Sequence, residues 1–338
     1  MFVIGIDPHR GSHTAAVLSD GEELVDEFHL VADRRQRDRL LDWAESFTPR
    51  VWAIEGATGT GALLAQQLVA VGEHVVDVPP TLSARVRLLD AGRTDKTDCH
   101  DARSAAVVAL RHPALRPVRV EDHVAVLRLL AKRHHDLNAA RTRAACRLHT
   151  TLSYLAEGHF PKRMKAHQAA VIVTRIRASD AVSIERKAMA RELIAEIRRV
   201  DRQLADLGER ITVAVTASGS SVIDLFGVGP VVAAYLIGHT GDITRFPTSG
   251  HYARYNATAP IEASSGPKQR HRLNPRGNRQ LNHALHMTAL TQIRNDTAGR
   301  AYYLRKQAEG KSPKEAMRAL KRRISDAVYR QLLTDTTR

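Results

Sequence analysis

Phe2-Val3-Ile4-Gly5-Ile6-Asp7 is an apolar run that stops on a carboxylate. Outward from it, residues 13–19 and 24–30 alternate or run apolar, with Gly11-Ser12 and Asp20-Gly21 between them. Short apolar runs separated by turn residues predict three consecutive strands joined by hairpins, the first of them central. A polar helix is expected over about 33–46 and a fourth strand over Val51–Glu55. A helix should follow Thr58-Gly59-Thr60-Gly61, and a fifth strand covers His74–Val78, ended by Pro79-Pro80. Helical patterning resumes near Leu82. Three antiparallel strands followed by alternating helix and strand describe an α/β domain built on a mixed sheet of the ribonuclease H type.

Two of these runs end in acids, Asp7 and Glu55, and a buried strand end is a costly place for a charge unless something pairs with it. Asp98 and Asp101, in Thr97-Asp98-Cys99-His100-Asp101, lie three apart on a predicted helix and so share a face. A cluster of acids that the chain does not itself neutralise suits divalent cations held by oxygen ligands. Two such ions, about 4 Å apart, can neutralise a phosphodiester, activate the attacking group and stabilise the leaving oxygen. Plainer roles exist for each acid alone: a strand-end cap for Asp7, a structural carboxylate for Glu55, helix-start residues for Asp98 and Asp101. The four together, in this order, favour the catalytic reading. Asp95 reads as a loop acid outside the metal shell.

At 338 residues the chain exceeds one ordinary core, so two or three domains are expected. No signal peptide and no membrane-spanning apolar run stands out, and two cysteines, Cys99 and Cys146, fit a reducing cytoplasm and exclude a Cys-based zinc cage. The histidines are scattered, with no convincing metal-ligand spacing. Charge is uneven. Residues 1–120 carry 14 Lys+Arg against 17 Asp+Glu, residues 121–265 carry 20 against 14, and residues 266–338 carry 17 against 5. A basic gradient of this density implies a polyanionic partner, most simply nucleic acid. The basic stretches lack the bulky apolar face of a membrane-surface helix.

From His123 to about Leu155, and again over about Ser183–Ala214, apolar residues recur at helical spacing. Two long helices around the Pro161-Lys162-Arg163 break predict an antiparallel coiled-coil arm, with a plain helical bundle as the alternative. Leu225-Phe226-Gly227-Val228-Gly229-Pro230 reads as a turn between helices, of the kind found in helix-hairpin-helix units or in an ordinary helical connection. The segment Glu262-Ala263-Ser264-Ser265-Gly266-Pro267-Lys268-Gln269-Arg270-His271-Arg272 continues to Asn274-Pro275-Arg276-Gly277-Asn278-Arg279. Serines beside a glycine, ahead of a cation cluster and a helix start, form a candidate phosphate site. A final helix over about 313–333 carries Lys314, Arg318, Lys321, Arg322, Arg323 and Arg330, a backbone-contacting or merely solvated face. The expected layout is a nuclease-like domain over 1–120, a helical arm over 121–215, and a mainly α, basic domain over 216–338.

Gly5-Ile6-Asp7, Glu55-Gly56 and Lys96-Thr97-Asp98-Cys99-His100-Asp101-Ala102-Arg103 resemble the RuvC-like domain of insertion-sequence 110 family transposases. Ala259-Pro260, Ser264-Ser265-Gly266 and Gly277-Asn278-Arg279-Gln280-Leu281 resemble that family's second domain, and Piv-type DNA invertases share the plan. The resemblance implies that Asp7, Glu55, Asp98 and Asp101 form an acidic tetrad binding Mg²⁺, for which the phosphodiester chemistry above suggests two ions per site. It implies that Ser265 is a nucleophile joined covalently to a DNA phosphate; on the residues alone, Ser264 and Ser249, the latter also before a glycine, are alternatives for that role. It further implies DNA as substrate, a structured guide RNA in several members, and a homo-oligomer in which one subunit's acids meet another's serine. Lys268, Arg270, Arg272, Arg276, Asn278 and Arg279 are the candidate nucleic-acid contacts. The rival readings are a junction-resolving endonuclease, which would use water and need no serine, and a non-catalytic nucleic-acid-binding protein.

Overall fold

The computed structural model describes residues 1–89, 97–157, 160–161, 164–262, 271–272, 274 and 277–337, and its backbone separates into two units, Met1–Glu121 and Asp122–Arg338. In the first, the chain runs β1 (Phe2–Pro8), β2 (Ser12–Leu18), β3 (Leu24–Val31), α1 (Gln36–Trp43), β4 (Arg50–Glu55), α2 (Ala62–Val69), β5 (Val75–Val78), α3 (Pro80–Leu89), α4 (Asp98–Arg111) and β6 (Arg116–Pro117). The sheet order is β3-β2-β1-β4-β5-β6. β1 is antiparallel to β2 and parallel to β4, and β5 is parallel to β4. This is the mixed sheet expected, with β1 central. The short edge strand β6 was not anticipated; two residues carry no periodic signal.

The alternation of side chains splits the core in two. Ile4, Ile6, Trp52 and Ile54 pack with Leu40, Leu64 and Leu68 on one face. Val3, Ala53, Val76 and Val78 pack with Ala105, Ala106, Val107 and Val108 of α4 on the other. Burial on both faces is why β1 and β4 read as continuous apolar runs rather than alternating ones. Gly5 sets how closely α4 approaches: a Cβ there would lie 2.7 Å from the Ala106 amide nitrogen and press on the Ala102 carbonyl. At the other end of β4, the buried Trp52 indole donates to Glu73 Oε2 at 2.6 Å, and Arg50 Nη2 meets Glu73 Oε1 at 2.5 Å. Burial pushes the Glu73 carboxyl up, but the Arg50 and Trp52 hydrogen bonds outweigh it and hold the group below the usual carboxylate range.

The second unit is helical: α5 (His123–Ser153), α6 (Ala166–Arg175), α7 (Ala181–Ala217), α8 (Pro230–Thr240), α9 (Ser249–Tyr255), a small ladder β7 (Ile261–Glu262) and β8 (His271–Arg272), then α10 (Arg279–Arg294), α11 (Ala298–Ala308) and α12 (Pro313–Asp335). α5 and α7 run antiparallel. Ala144, Leu148 and Leu152 meet Ala190, Ile194 and Ile197, with Ala169 and Val173 of α6 between them. Farther along, Leu127, Leu130 and Leu137 join Val200, Leu207 and Ile211 in a core shared with α8, α10 and α12. The long helices therefore pack as part of a larger helical body at one end and as a three-helix cluster with α6 at the other. The expected turn over 225–230 is present, but it follows a 3-10 turn at Ser221–Asp224 rather than a helix. Gly227 has φ of 88° there and packs on Thr288, so the turn needs glycine.

Candidate metal centre and the frame of the serine segment

Ile6 of β1 pairs with Ile54 of the parallel strand β4, so Asp7 and Glu55 are the next residues on neighbouring strands. Both fall on the face of Val3 and Ala53, the face that α4 covers. They stand at the carboxyl ends of parallel strands, where open α/β sheets place their ligands. α4 begins at Asp98, with Thr97 as its N-cap accepting the His100 amide, and Asp101 follows in the first turn. The close approach at Gly5 brings that turn against the Asp7 end of β1. The two rival roles of this pair thus coexist: the acids start a helix and also face the strand acids.

Electrostatics registers the convergence. Asp7 is 8% exposed, and its carboxyl is pushed up to about 6: burial raises it most, His9 pulls it down, and the charges of Asp101, Glu55 and Asp98 raise it further. Oδ2 of Asp7 and Oε2 of Glu55 are buried and accept no hydrogen bond from any described residue. Two buried carboxylate oxygens left without donors, on neighbouring strands and beside the acids of α4, form a donor set that fits a hard divalent cation.

Two features correct the sequence reading. The chain does neutralise one of its acids: Arg87 of α3 reaches the Asp101 carboxylate, a pairing that only tertiary packing of α3 on α4 creates. And one histidine does stand at the site. One donor atom each from Asp7, His9 and Asp98 lies within 4.8 Å of the others. The signal was present in Asp7-Pro8-His9, where i and i+2 leave a strand end on the same side, but a search for His–His spacings passes over it.

In the second unit, Ser265 falls in the connection between β7 and β8 with Ser264, Lys268 and Arg270, and Arg276 follows β8; all five lie outside the described residues. Arg272 pairs in the ladder with Ile261. Ser249 opens α9 behind its Thr248 cap. Arg279 is exposed at the first position of α10. Asn278 is committed to other work: its side-chain oxygen caps the amides of Gln280 and Leu281, and its Nδ2 donates to the Tyr255 hydroxyl. The bases of the connection are tied by a buried polar network. Asn282 donates to the carbonyls of Asn256 and Ala257, each at 3.0 Å, while Asn256 donates to Ser325 Oγ at 2.7 Å. Lys321 closes it, donating to Asn282 Oδ1 at 2.6 Å. Lys321 is only 7% exposed, so it does not belong to the solvated cationic face of α12, and burial pushes its ammonium down to about 8.

Residues 4–156 match a family model described as Transposase, of the DEDD IS110 type, and residues 220–304 match one described as Transposase IS116/IS110/IS902 family. An insertion element IS116 protein of 44.8 kDa from Streptomyces clavuligerus is 27% identical over 97% of this chain and 94% of its own length. An insertion element IS900 protein of 42 kDa from Mycobacterium paratuberculosis is likewise 27% identical, over 97% and 94%. A Thermus thermophilus RuvC in complex with a Holliday junction substrate superimposes with a TM-score of 0.29 at 16% identity, covering 35% of this chain and 99% of that one.

Proposed function

The chain belongs to the IS110 family of transposases, and from that premise we propose that it cleaves and rejoins the DNA of its insertion sequence with Asp7, Glu55, Asp98 and Asp101 as ligands for Mg²⁺, two ions per site, and Ser265 as nucleophile. The observation that carries the reading is Asp7: a buried carboxylate with an undonated oxygen, in the field of Glu55 from β4 and of Asp98 and Asp101 from α4. Divalent ions held there would supply neutralisation of the phosphodiester and a lowered pKa for the attacking hydroxyl. The chain's own part is to fix the oxygens before substrate arrives, which β1, β4 and α4 do as rigid elements.

In the serine step, the Ser265 hydroxyl oxygen bonds to a DNA phosphorus, the bond from phosphorus to its departing sugar oxygen breaks, and that oxygen takes up a proton. The serine–DNA phosphodiester conserves the bond energy, so a sugar hydroxyl of another strand reverses the exchange and reseals without ATP. Ser265 lies inside the second matched stretch, which supports this assignment. Arg279 and the cations at 268, 270, 272 and 276 would hold backbone phosphates. A structured guide RNA and a homo-oligomer complete the proposal; the strongly basic second half of the chain supports a polyanionic partner. Among the described residues no helix is long and apolar enough to cross a membrane, consistent with work on DNA in the cytoplasm.

Covalent trapping tests the reading. Labelled DNA carrying the element's ends, incubated with the chain and Mg²⁺, should yield a protein–DNA adduct that disappears in Ser265→Ala and in Asp7→Asn. Full-rate cutting by Ser265→Ala with no adduct would overturn the serine step, and full activity in Asp7→Asn would overturn the metal site.

A further inference from the structure

His9 Nδ1 lies 3.7 Å from Asp7 Oδ2, too far for a hydrogen bond and close enough for both atoms to bind one ion. The carboxylate oxygens of Asp7 and Asp98 and a ring nitrogen of His9 fit within 4.8 Å of one another. Asp7 is buried, with 12% of its side chain exposed, and the oxygen it turns toward the imidazole accepts nothing from any described residue. The His9 side chain is half exposed, so no packing demand explains its place. Resting on the metal reading above, we propose that His9 is a nitrogen ligand to one of the divalent ions, sharing it with Asp7 and Asp98, and that it tilts this position from magnesium toward first-row transition ions.

The chemistry follows from donor type. Magnesium prefers an all-oxygen octahedron and keeps its waters, whereas imidazole is a good ligand for transition ions. The two ion positions of one site then differ: one is bounded by oxygens alone, the other by two carboxylates and an imidazole.

Electron paramagnetic resonance of Mn²⁺ bound to the full chain reads the ligand directly. The wild type should show ¹⁴N coupling to the bound manganese. His9→Gln should lose that coupling and bind Mn²⁺ at least about tenfold more weakly, while its Mg²⁺ affinity moves by less than about threefold. Wild-type manganese without nitrogen coupling, or coupling that survives in His9→Gln, overturns the assignment of His9. Asp7→Asn separates this from the parent reading: if it abolishes Mn²⁺ binding while the wild type shows no nitrogen, the acid site stands and only His9 falls. If the wild type holds no Mn²⁺, or Asp7→Asn holds it equally well, the acid site falls too.

Discussion

Arg87 of α3 lends its guanidinium to the carboxylate of Asp101 on α4, one helical turn from Asp98 and within the field of Asp7. The chain therefore carries a cation of its own beside the acids. Asp101 is buried, and removing its partner leaves an unpaired charge among like charges. Arg87→Ala should lower the stability of metal-free protein by roughly 1–3 kcal/mol and enlarge the stabilisation given by Mg²⁺, because Asp101 is freed. Thermal melts with and without Mg²⁺ check both signs; a variant that melts like wild type under both conditions would count against the pairing.

Gly5→Ala should cost about 3 kcal/mol or more, beyond the ordinary range for overpacking, because the new methyl meets helix backbone rather than a side chain that can swing aside. Gly11→Ala is the control: a Cβ there meets nothing within 4 Å. Denaturation in urea should separate the two variants clearly. Equal stabilities would mean that α4 does not dock on β1 as described.

Glu73→Ala should destabilise by about 2–4 kcal/mol, since it strands the buried Trp52 indole N–H and leaves the Arg50 guanidinium, still donating to the Ala44 carbonyl, without its counter-charge. Glu73→Gln should retain part of that loss through one surviving acceptor. Urea midpoints of the two variants, taken with Trp52 as a fluorescence reporter, give the order.

Lys321 makes stability depend on pH with a definite sign. Folding lowers its pKa from 10.5 to about 8, so between those values the unfolded chain binds the proton that the folded chain has lost. Raising the pH from about 7 to 10 should stabilise the wild type relative to Lys321→Met by about 1–3 kcal/mol. Most of the change should lie above pH 8. Parallel stability curves for the two proteins would show that the amine is not buried.

The sheet was legible because apolar runs of strand length, ended by turn residues, carry strong local signals; the strands came within about two residues at most ends. Asp7 and Glu55 were legible as charges where apolar runs stop. Arg87 was not, because its partner is fourteen residues away and only packing of α3 on α4 joins them. Lys321 was readable in principle: Lys321, Ser325 and Tyr329 form one row, beside the row of Ala316, Leu320, Ile324 and Val328, and all are buried. Counting cations along α12 instead of plotting its faces hid it. α6 escaped because it is short and sits in the break expected between the long helices. The capping role of Asn278 was readable too, since an Asn directly ahead of a helix is favoured as its N-cap.

In this proposal carboxylates from β1, β4 and α4 share divalent metal. Crystals grown with Mn²⁺ and measured at the manganese absorption edge test it most directly. An anomalous peak should stand bonded to the carboxylate oxygens of Asp7 and Asp98, with Glu55 facing the same centre. Ordered side chains with no peak among them at millimolar Mn²⁺ would contradict it.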